Sequence, residues 1–291
     1  MNHALTLIAD RAATSLSPGI IARVRAAVGG GEPTLLSPGE AVDIPVPSRP
    51  DPALVRDAIG TGRIDAITVK TRGRRKGMLI ADMDSTIVTG ETLDELADFA
   101  GLKGKIAAIT RRSMNGEIDF AEALALRVGM LKGLPLDALE KTWQRVVLTP
   151  GARELIATMR ANNALTALVS GGFTFFTGKV AALVGFDVHR SNVLVDDGDV
   201  LTGEVETPIL DRDAKLATLR ELAEMRGLKL AATLAVGDGA NDLGMLREAG
   251  LGVAFHAKPI VAAEVRAKVD FCDLRALLFI QGFRVGEFRD A

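Results

Sequence analysis

The sequence predicts an α/β protein in which a parallel sheet is covered by helices on both faces. In its second half, short apolar runs alternate with helical patterns, and polar or glycine-rich residues follow the runs. Such alternation favours a parallel sheet, because crossover helices cover both of its faces. The predicted strands are Met78–Ala81, Leu165–Val169, Thr233–Val236 and Gly252–Phe255.

Helices are predicted between and after these strands, with one hairpin among them. The helical patterns span Ala152–Arg160, Phe175–Val184, Ala214–Met225 and Leu243–Ala249. The segment Asp196–Asp199, between two short apolar runs, has the composition of a hairpin turn.

Residues 1–74 predict a small α+β domain ahead of this core. Its predicted strands are Leu5–Ala9 and Ala66–Thr71, and its predicted helices are Ile20–Val28 and Pro52–Ile59. Six prolines between positions 33 and 52 argue against a central strand there. We interpret Arg72–Lys76 as a solvated linker.

A helical insertion divides the predicted core. We assign residues 75–89 and 149–291 to the core and residues 90–148 to a helical cap. Helical patterns cover Thr92–Ala100, Ile118–Val128 and Leu136–Val146, and Thr92 with Glu95 has the spacing of a capping box.

Composition narrows the function classes. Lys plus Arg total 35 and Asp plus Glu total 37, so the net charge of -2 lacks the basic excess typical of nucleic-acid binding. Cys272 is the single cysteine, which excludes an intrachain disulfide and favours a reducing compartment. The apolar run Ala4–Ala9 is too short for a signal peptide or membrane span. We therefore expect a cytoplasmic enzyme with neither nucleic-acid nor membrane partners.

Two aspartates directly follow the first core strand. Asp82 and Asp84 lie where ligands bind in open parallel sheets, beyond the carboxyl ends of the strands. Paired carboxylates there could hold Mg²⁺, or one could attack phosphorus while the other handles the proton. Alone, the motif is equally compatible with a polar turn in which Asp84 and Ser85 cap a helix.

Three later segments carry matching chemistry. Ser170-Gly171-Gly172 offers a hydroxyl and unobstructed N–H groups for a phosphate, or else a helix N-cap followed by turn glycines. Gly237–Asp242 lacks the third glycine of a dinucleotide fingerprint, but it places Asp238 and Asp242 beside Asn241 after a strand. A cluster of buried carboxylates favours a bound divalent cation. Lys215 could neutralise a phosphate, although most lysines are surface residues.

Taken in chain order, these motifs resemble the haloacid dehalogenase-like superfamily. The match covers Met78 to about Val269 as D-x-D-x-T, a serine after a strand, a lysine and G-D-x-x-x-D. The resemblance implies a Rossmann-like parallel core in which Asp82 is the nucleophile and Asp84 the acid/base. It also implies that Ser170 and Lys215 bind the transferred phosphoryl group.

The same resemblance implies a magnesium site. Its ligands would be Asp82, Asp238 and the main-chain carbonyl of Asp84. Asp242 would steady the site from behind those ligands.

The insertion is similar to the cap of the phosphoserine phosphatases. Their pattern matches Glu91 and Arg127, with Phe120 and Met114 as apolar companions, and it extends to Asn241 and Gly171 among the substrate contacts. The resemblance implies hydrolysis of O-phospho-L-serine, the last step of serine biosynthesis. Glu91 would take the ammonium and Arg127 the carboxylate. From the residues alone, a helix-end glutamate and a surface arginine remain open.

Two other functions remain open at this stage. The enzyme could act on another small phosphorylated metabolite, as a phosphatase or phosphotransferase. Residues 1–74 also resemble ACT-like regulatory domains, which implies amino-acid sensing, and they could mediate a homodimer.

Overall fold

The computed structural model describes residues 1–114 and 117–290. Its strands, numbered in chain order, are β1 His3–Ala9, β2 Thr34–Ser37, β3 Ala41–Val46, β4 Ile64–Lys70, β5 Met78–Ala81, β6 Leu165–Phe173, β7 Val188–Asn192, β8 Leu194–Asp196, β9 Leu201–Val205, β10 Thr233–Gly237, β11 Leu251–Phe255 and β12 Ala267–Val269. Its helices are α1 Pro18–Ala27, α2 Pro52–Ile59, α3 Thr92–Phe99, α4 Lys103–Met114, α5 Phe120–Gly129, α6 Asp137–Trp143, α7 Ala152–Ala161, α8 Thr174–Val184, α9 Arg212–Met225, α10 Leu243–Glu248, α11 Pro259–Glu264 and α12 Ala276–Phe279.

The core is a six-stranded parallel sheet in the order β12-β11-β10-β5-β6-β7. The α/β prediction is confirmed, and the four predicted strands lie at its centre. The edge strands β7 and β12 were missed. Half-buried β7 carries the polar sequence VHRSN and β12 has 3 residues, so neither shows an apolar run.

Strand β5 shows why this sheet is covered on both faces. Its four residues are all buried, and successive side chains of a strand point to opposite faces. Leu79 and Ala81 pack into one apolar cluster, whereas Met78 and Ile80 pack into the other. Both faces of the sheet are therefore core, and polar chemistry is confined to the strand ends.

The N-terminal segment forms a four-stranded antiparallel sheet in the order β2-β3-β1-β4, with helices α1 and α2 packed on it. The expectation that proline excludes a central strand was wrong for β3, which contains Pro45. Strand β2 pairs with β3 only between Ala41 and Asp43, so Pro45 has a strand neighbour on one side alone. The resemblance of this sheet to ACT-like domains stays a prediction.

The helical insertion contains α3 to α6 and leaves the core through two adjacent segments. Val88 and Leu148 form an antiparallel bridge, flanked by the bonds Thr89 N to Val147 O and Thr149 N to Ile87 O, each 2.9 Å. Helix α4, which is largely polar, was not predicted. No helix among residues 1–114 and 117–290 is long and apolar enough to cross a membrane.

Candidate active site

Four neighbouring strands deliver polar residues to one edge of the core sheet. Asp82 follows β5, Ser170 lies in β6, Asp238 follows β10, and Lys258 comes three residues after β11. Because these strands are parallel, their carboxyl ends meet at the same edge. Residues far apart in the chain therefore share one site.

Three buried carboxylates form the centre of this site. Oxygen atoms of Asp82, Asp238 and Asp242 all lie within 4.8 Å of one another. Lys215 reaches them from the first turns of α9, with Nζ 2.6 Å from Oδ1 of Asp82 and 2.7 Å from Oδ1 of Asp242. The lysine is fully buried, so the alternative of a surface lysine is wrong.

The electrostatics of this cluster leave room for more positive charge. Burial, followed by the charge of Asp242, raises the pKa of Asp82 well above its usual range, although Lys215 opposes the shift. Burial alone would lower the pKa of Lys215, but Asp242 and Asp82 outweigh it and raise that pKa. Burial also raises the pKa of Asp238 to about 6. The charge of Lys258 opposes that last shift, so two ammonium groups face three buried carboxylates and leave a net negative charge.

Asp242 is held by more bonds than the other two carboxylates. Its Oδ2 accepts the backbone N–H groups of Asp238 at 3.2 Å and Gly239 at 3.0 Å, while Oδ1 accepts from Lys215. Gly237 permits this approach, because a Cβ there would lie 2.4 Å from Cγ of Asp242. With both oxygens engaged, Asp242 is suited to orienting Lys215 and the loop.

Asp84 and Ser170 approach each other across Gly172. Oδ2 of Asp84 and Oγ of Ser170 each lie 3.0 Å from the point that a Cβ of Gly172 would occupy. Ser170 is a buried strand residue that accepts from the N–H of Gly172, so the N-cap alternative for it is wrong. Burial, followed by the charge of Glu91, raises the pKa of Asp84 to about 7.

The predicted capping box at the start of α3 was wrong. Glu91 is the N-cap residue and makes no side-chain cap bond. Asp84 instead accepts the N–H of Thr92 at 2.8 Å, which ties the cap to the loop after β5. The buried Oγ1 of Thr92 has no hydrogen-bond partner among the described residues.

Lys258 is a site residue that the sequence analysis missed. Its Nζ lies 3.2 Å from Oδ2 of Asp238 and 4.0 Å from Oε1 of Glu91, and Ser85 Oγ donates to the same Glu91 oxygen at 2.7 Å. The strand before it was predicted, and its position beyond a carboxyl end was the available clue. Lys258 thus connects the first cap residue to the carboxylate cluster.

The remaining cap residues lie over this site. Arg127 is buried, so the alternative of a surface arginine is wrong, and it donates to Ala123 O and Thr110 Oγ1. Burial lowers the pKa of Arg127, against the charges of Asp94, Glu91 and Asp84.

Two further contacts complete the pocket. Phe120 in the cap approaches Gly171, where a Cβ would lie 2.8 Å from its Cζ. Asn241 is half-buried in the same loop as Asp238. The side chain of Met114, expected beside Phe120, lies outside the described residues.

The carboxylate cluster has the composition of a divalent-cation site. Carboxylate oxygens are hard ligands, and a cation would relieve the repulsion that raises the pKa of Asp82. Lys215 bonds Oδ1 of Asp82 and leaves Oδ2 available to a cation, whereas both oxygens of Asp242 are engaged. The residues fit a metal held by Asp82 and Asp238, with Asp242 behind them.

The chain is similar in sequence to known hydrolases. The family model for haloacid dehalogenase-like hydrolases matches residues 79–247. The chain is 40% identical over 220 residues to a probable phosphoserine phosphatase of Schizosaccharomyces pombe, covering 75% of this chain and 74% of that one. It is 44% identical over 203 residues to a phosphoserine phosphatase of Haemophilus influenzae, covering 69% of this chain but only 64% of that longer protein.

Solved structures extend the likeness beyond the core. A probable phosphoserine phosphatase from Vibrio cholerae, in unliganded form, has a TM-score of 0.80 at 30% identity and covers 98% of this chain and 88% of that one. A phospho-aspartyl intermediate analogue of phosphoserine phosphatase has a TM-score of 0.67 at 40% identity, covering 70% of this chain and 98% of that one. Because the family model covers more than half of its length, the chain belongs to the haloacid dehalogenase-like hydrolase family.

Proposed function

We propose that this protein is a phosphoserine phosphatase that hydrolyses O-phospho-L-serine to L-serine and phosphate. The observation that carries the proposal is the buried Lys215, whose Nζ holds Asp82 at 2.6 Å and Asp242 at 2.7 Å beside Asp238. This arrangement leaves one oxygen of Asp82 to act as a nucleophile. The names of the curated relatives support phosphoserine as the substrate.

The reaction proceeds in two displacements. Asp82 attacks phosphorus, the bond to the serine oxygen breaks, and Asp84 gives that oxygen its proton. A pKa of about 7 makes a protonated Asp84 available near neutral pH. Asp84, now ionised, accepts a proton from the water that attacks the aspartyl phosphate, which releases phosphate and restores Asp82.

The phosphate group of the substrate is bound by residues around Asp82. Lys215, Ser170 Oγ and the N–H of Gly171 neutralise or bond the non-bridging oxygens, and their positions are fixed before substrate arrives. Mg²⁺ held by Asp82, Asp238 and the carbonyl of Asp84 would supply further charge neutralisation at the same oxygens.

The two ends of the serine moiety are recognised by the cap. Glu91 takes the ammonium, and Arg127 takes the carboxylate. Asn241 lies on the core side of the same pocket. Electrostatic coupling of Arg127 to Glu91 and Asp84 supports placing these groups around one ligand.

Substitution of the nucleophile tests the covalent route. Asp82→Asn should abolish nearly all phosphate release from phosphoserine with Mg²⁺ present, because an amide is a poor nucleophile. Asp213→Asn is the matched control, since this carboxylate is 82% exposed on the same helix as Lys215. Substantial turnover by a folded Asp82→Asn protein would contradict the mechanism.

A substrate series tests the assignment of Glu91. Removing the ammonium, as in 3-(phosphonooxy)propanoate, should lower kcat/KM sharply for the natural chain but much less for Glu91→Gln. Phosphoethanolamine lacks the carboxylate. Relative to phosphoserine, its kcat/KM should fall sharply for the natural chain but much less for Arg127→Met. If kcat/KM falls equally in the natural and variant chains, Glu91 and Arg127 do not recognise the ammonium and the carboxylate.

A further inference from the structure

A basic groove lies between the N-terminal domain and the core, away from the carboxylate cluster. It has a volume of about 1280 Å³ and runs between edge strands β4 and β12. Nine of its lining residues are Lys or Arg and three are Asp or Glu. The whole chain has a net charge of -2, so this concentration of positive charge is local.

The positive charges converge from separate parts of the chain. They come from α2 and the loop before it, the end of β4 with the following linker, α10, and β12 with the residue before it. The lining cations for which no ion pair is found in the described part of the chain are Arg49, Arg56, Lys70, Arg72, Lys76, Arg266 and Lys268; the Nζ of Lys76 donates instead to the carbonyl of Ala231. The linker Arg72–Lys76 thus forms part of the groove, although its sequence predicted only a solvated connection.

Little negative charge offsets these residues. Glu264 is paired with Arg247, and the Asp65 carboxylate accepts the backbone N–H groups of residues 270–272 at 2.9–3.2 Å. Asp270 is the remaining acidic side chain among the described lining residues. Like charges facing each other across a groove repel, and an anion between them would relieve that repulsion.

The walls of the groove are fixed in position. The bonds of Asp65 join β4 to the segment after β12, and Arg74 connects Asp43 to the carbonyls of Phe279 and Ile280. A site whose walls are already ordered loses less entropy on binding. The groove is also larger than the roughly 300–1,000 Å³ typical of small-molecule sites, so a multiply charged ligand fits.

We propose that this groove binds a compact anion carrying several linked phosphates. Guanidinium groups match phosphate oxygens in bidentate geometry, and four of the seven described lining cations without an ion pair are arginines. No aromatic side chain occurs among the described lining residues, so the stacking platform typical of single-stranded nucleic acid is missing there. Recognition therefore depends on phosphate charge and not on a base.

Isothermal titration of the full, metal-free chain with inorganic tripolyphosphate tests the proposal. Without divalent cations the carboxylate cluster repels anions, so saturable binding reports the groove. We expect one site per chain, weakened about tenfold or more by Arg72→Glu with Lys268→Glu, and weakened by added salt. The control Lys105→Glu with Lys132→Glu makes the same charge change at exposed cap residues and should bind like the natural chain.

Three results would overturn the proposal. These are the absence of saturable binding, equal weakening in both double variants, and full retention of affinity in the groove variant. Arg72→Gln with Lys268→Gln gives a milder change, with an intermediate affinity expected, should charge reversal disturb folding.

Two nucleotide titrations identify which feature is recognised. ATP should bind within about threefold of tripolyphosphate, because no described lining residue offers a ring on which a base could stack, and AMP should bind much more weakly. AMP binding as tightly as tripolyphosphate would contradict recognition of linked phosphates.

Discussion

At the scale of single residues, the site depends on where side chains are absent as much as on where charges are present. Gly237 and Gly172 lie against Asp242 and Asp84, at distances that a Cβ could not share without displacing them. The glycine beside Asp242 allows it to reach two backbone N–H groups and Lys215 at once. The orientation of Lys215 toward Asp82 follows from that anchoring.

Gly237→Ala should therefore damage the site without adding any new chemistry. The new methyl group would lie 2.4 Å from Cγ of Asp242, which must move. We expect a loss of roughly a hundredfold in kcat/KM from the misplaced lysine and about 1–3 kcal/mol in the free energy of unfolding. Steady-state kinetics and chemical denaturation measure the two effects.

Gly286→Ala is the control for that change, because nothing lies within 4 Å of its Cβ position. It should leave both quantities unchanged. Normal activity in Gly237→Ala would show that Asp242 need not occupy its observed position.

At the scale of elements, the cap meets the core both beside the carboxylate cluster and at the β8–β9 hairpin, where Pro135 forms a bridge with Val200. Helix α5 places Phe120 directly over Gly171 in β6, and the hinge consists of two short adjacent segments. Asp84, on the loop after β5, also binds the first N–H of α3. Closure of the cap therefore bears directly on the residues proposed to bind phosphate.

Gly171→Ala should hinder that approach. Its Cβ would lie 2.8 Å from Cζ of Phe120, so the ring or the cap must shift. Overpacking costs about 1–3 kcal/mol, which corresponds to a rise of about tenfold in KM for phosphoserine.

Replacing the Phe120 ring by the smaller leucine side chain should reverse part of this rise in KM. Gly171→Ala combined with Phe120→Leu is expected to have a lower KM than Gly171→Ala alone. If the double variant is worse by the product of the single effects, steric conflict with Phe120 is not the cause.

At the scale of the whole molecule, a buried network joins the N-terminal domain to the core. Arg74 is ion-paired with Asp43, bonds Thr6 at 2.7 Å, and donates to the carbonyls of Phe279 at 3.1 Å and Ile280 at 2.6 Å. Asp65 makes a second connection through three backbone N–H groups. We infer that the two parts unfold together.

Arg74→Met should destabilise the protein by about 3–5 kcal/mol, because it leaves the buried carboxylate of Asp43 without its partner. Arg75→Met is a closely matched control, since the neighbouring pair with Glu287 is 46% and 41% exposed. It should cost only about 0–1 kcal/mol. Thermal and urea denaturation compare the two, and equal stability losses would contradict a specific role for Arg74.

The sequence by itself determined the α/β class, the central strands and the motifs that carry the candidate site. A strand buried on both faces has to be apolar throughout, so a run such as Met78–Ala81, followed by Asp82, can be recognised from the local sequence alone. Hydrophobic periodicity also located most helices. It missed polar α4, the short helices α11 and α12, and the strands β2, β3, β7 and β12. The edge strands β7 and β12 are defined by a neighbouring strand and not by their own composition.

Only the tertiary structure decided which residues act together. A surface position remained open for Lys215, and Lys258 drew no attention, until the tertiary structure placed both beside the carboxylates. The basic groove likewise combines the linker with β12, whose sequences lie far apart. Convergence of this kind depends on strand order and long-range packing, which no local stretch of sequence encodes.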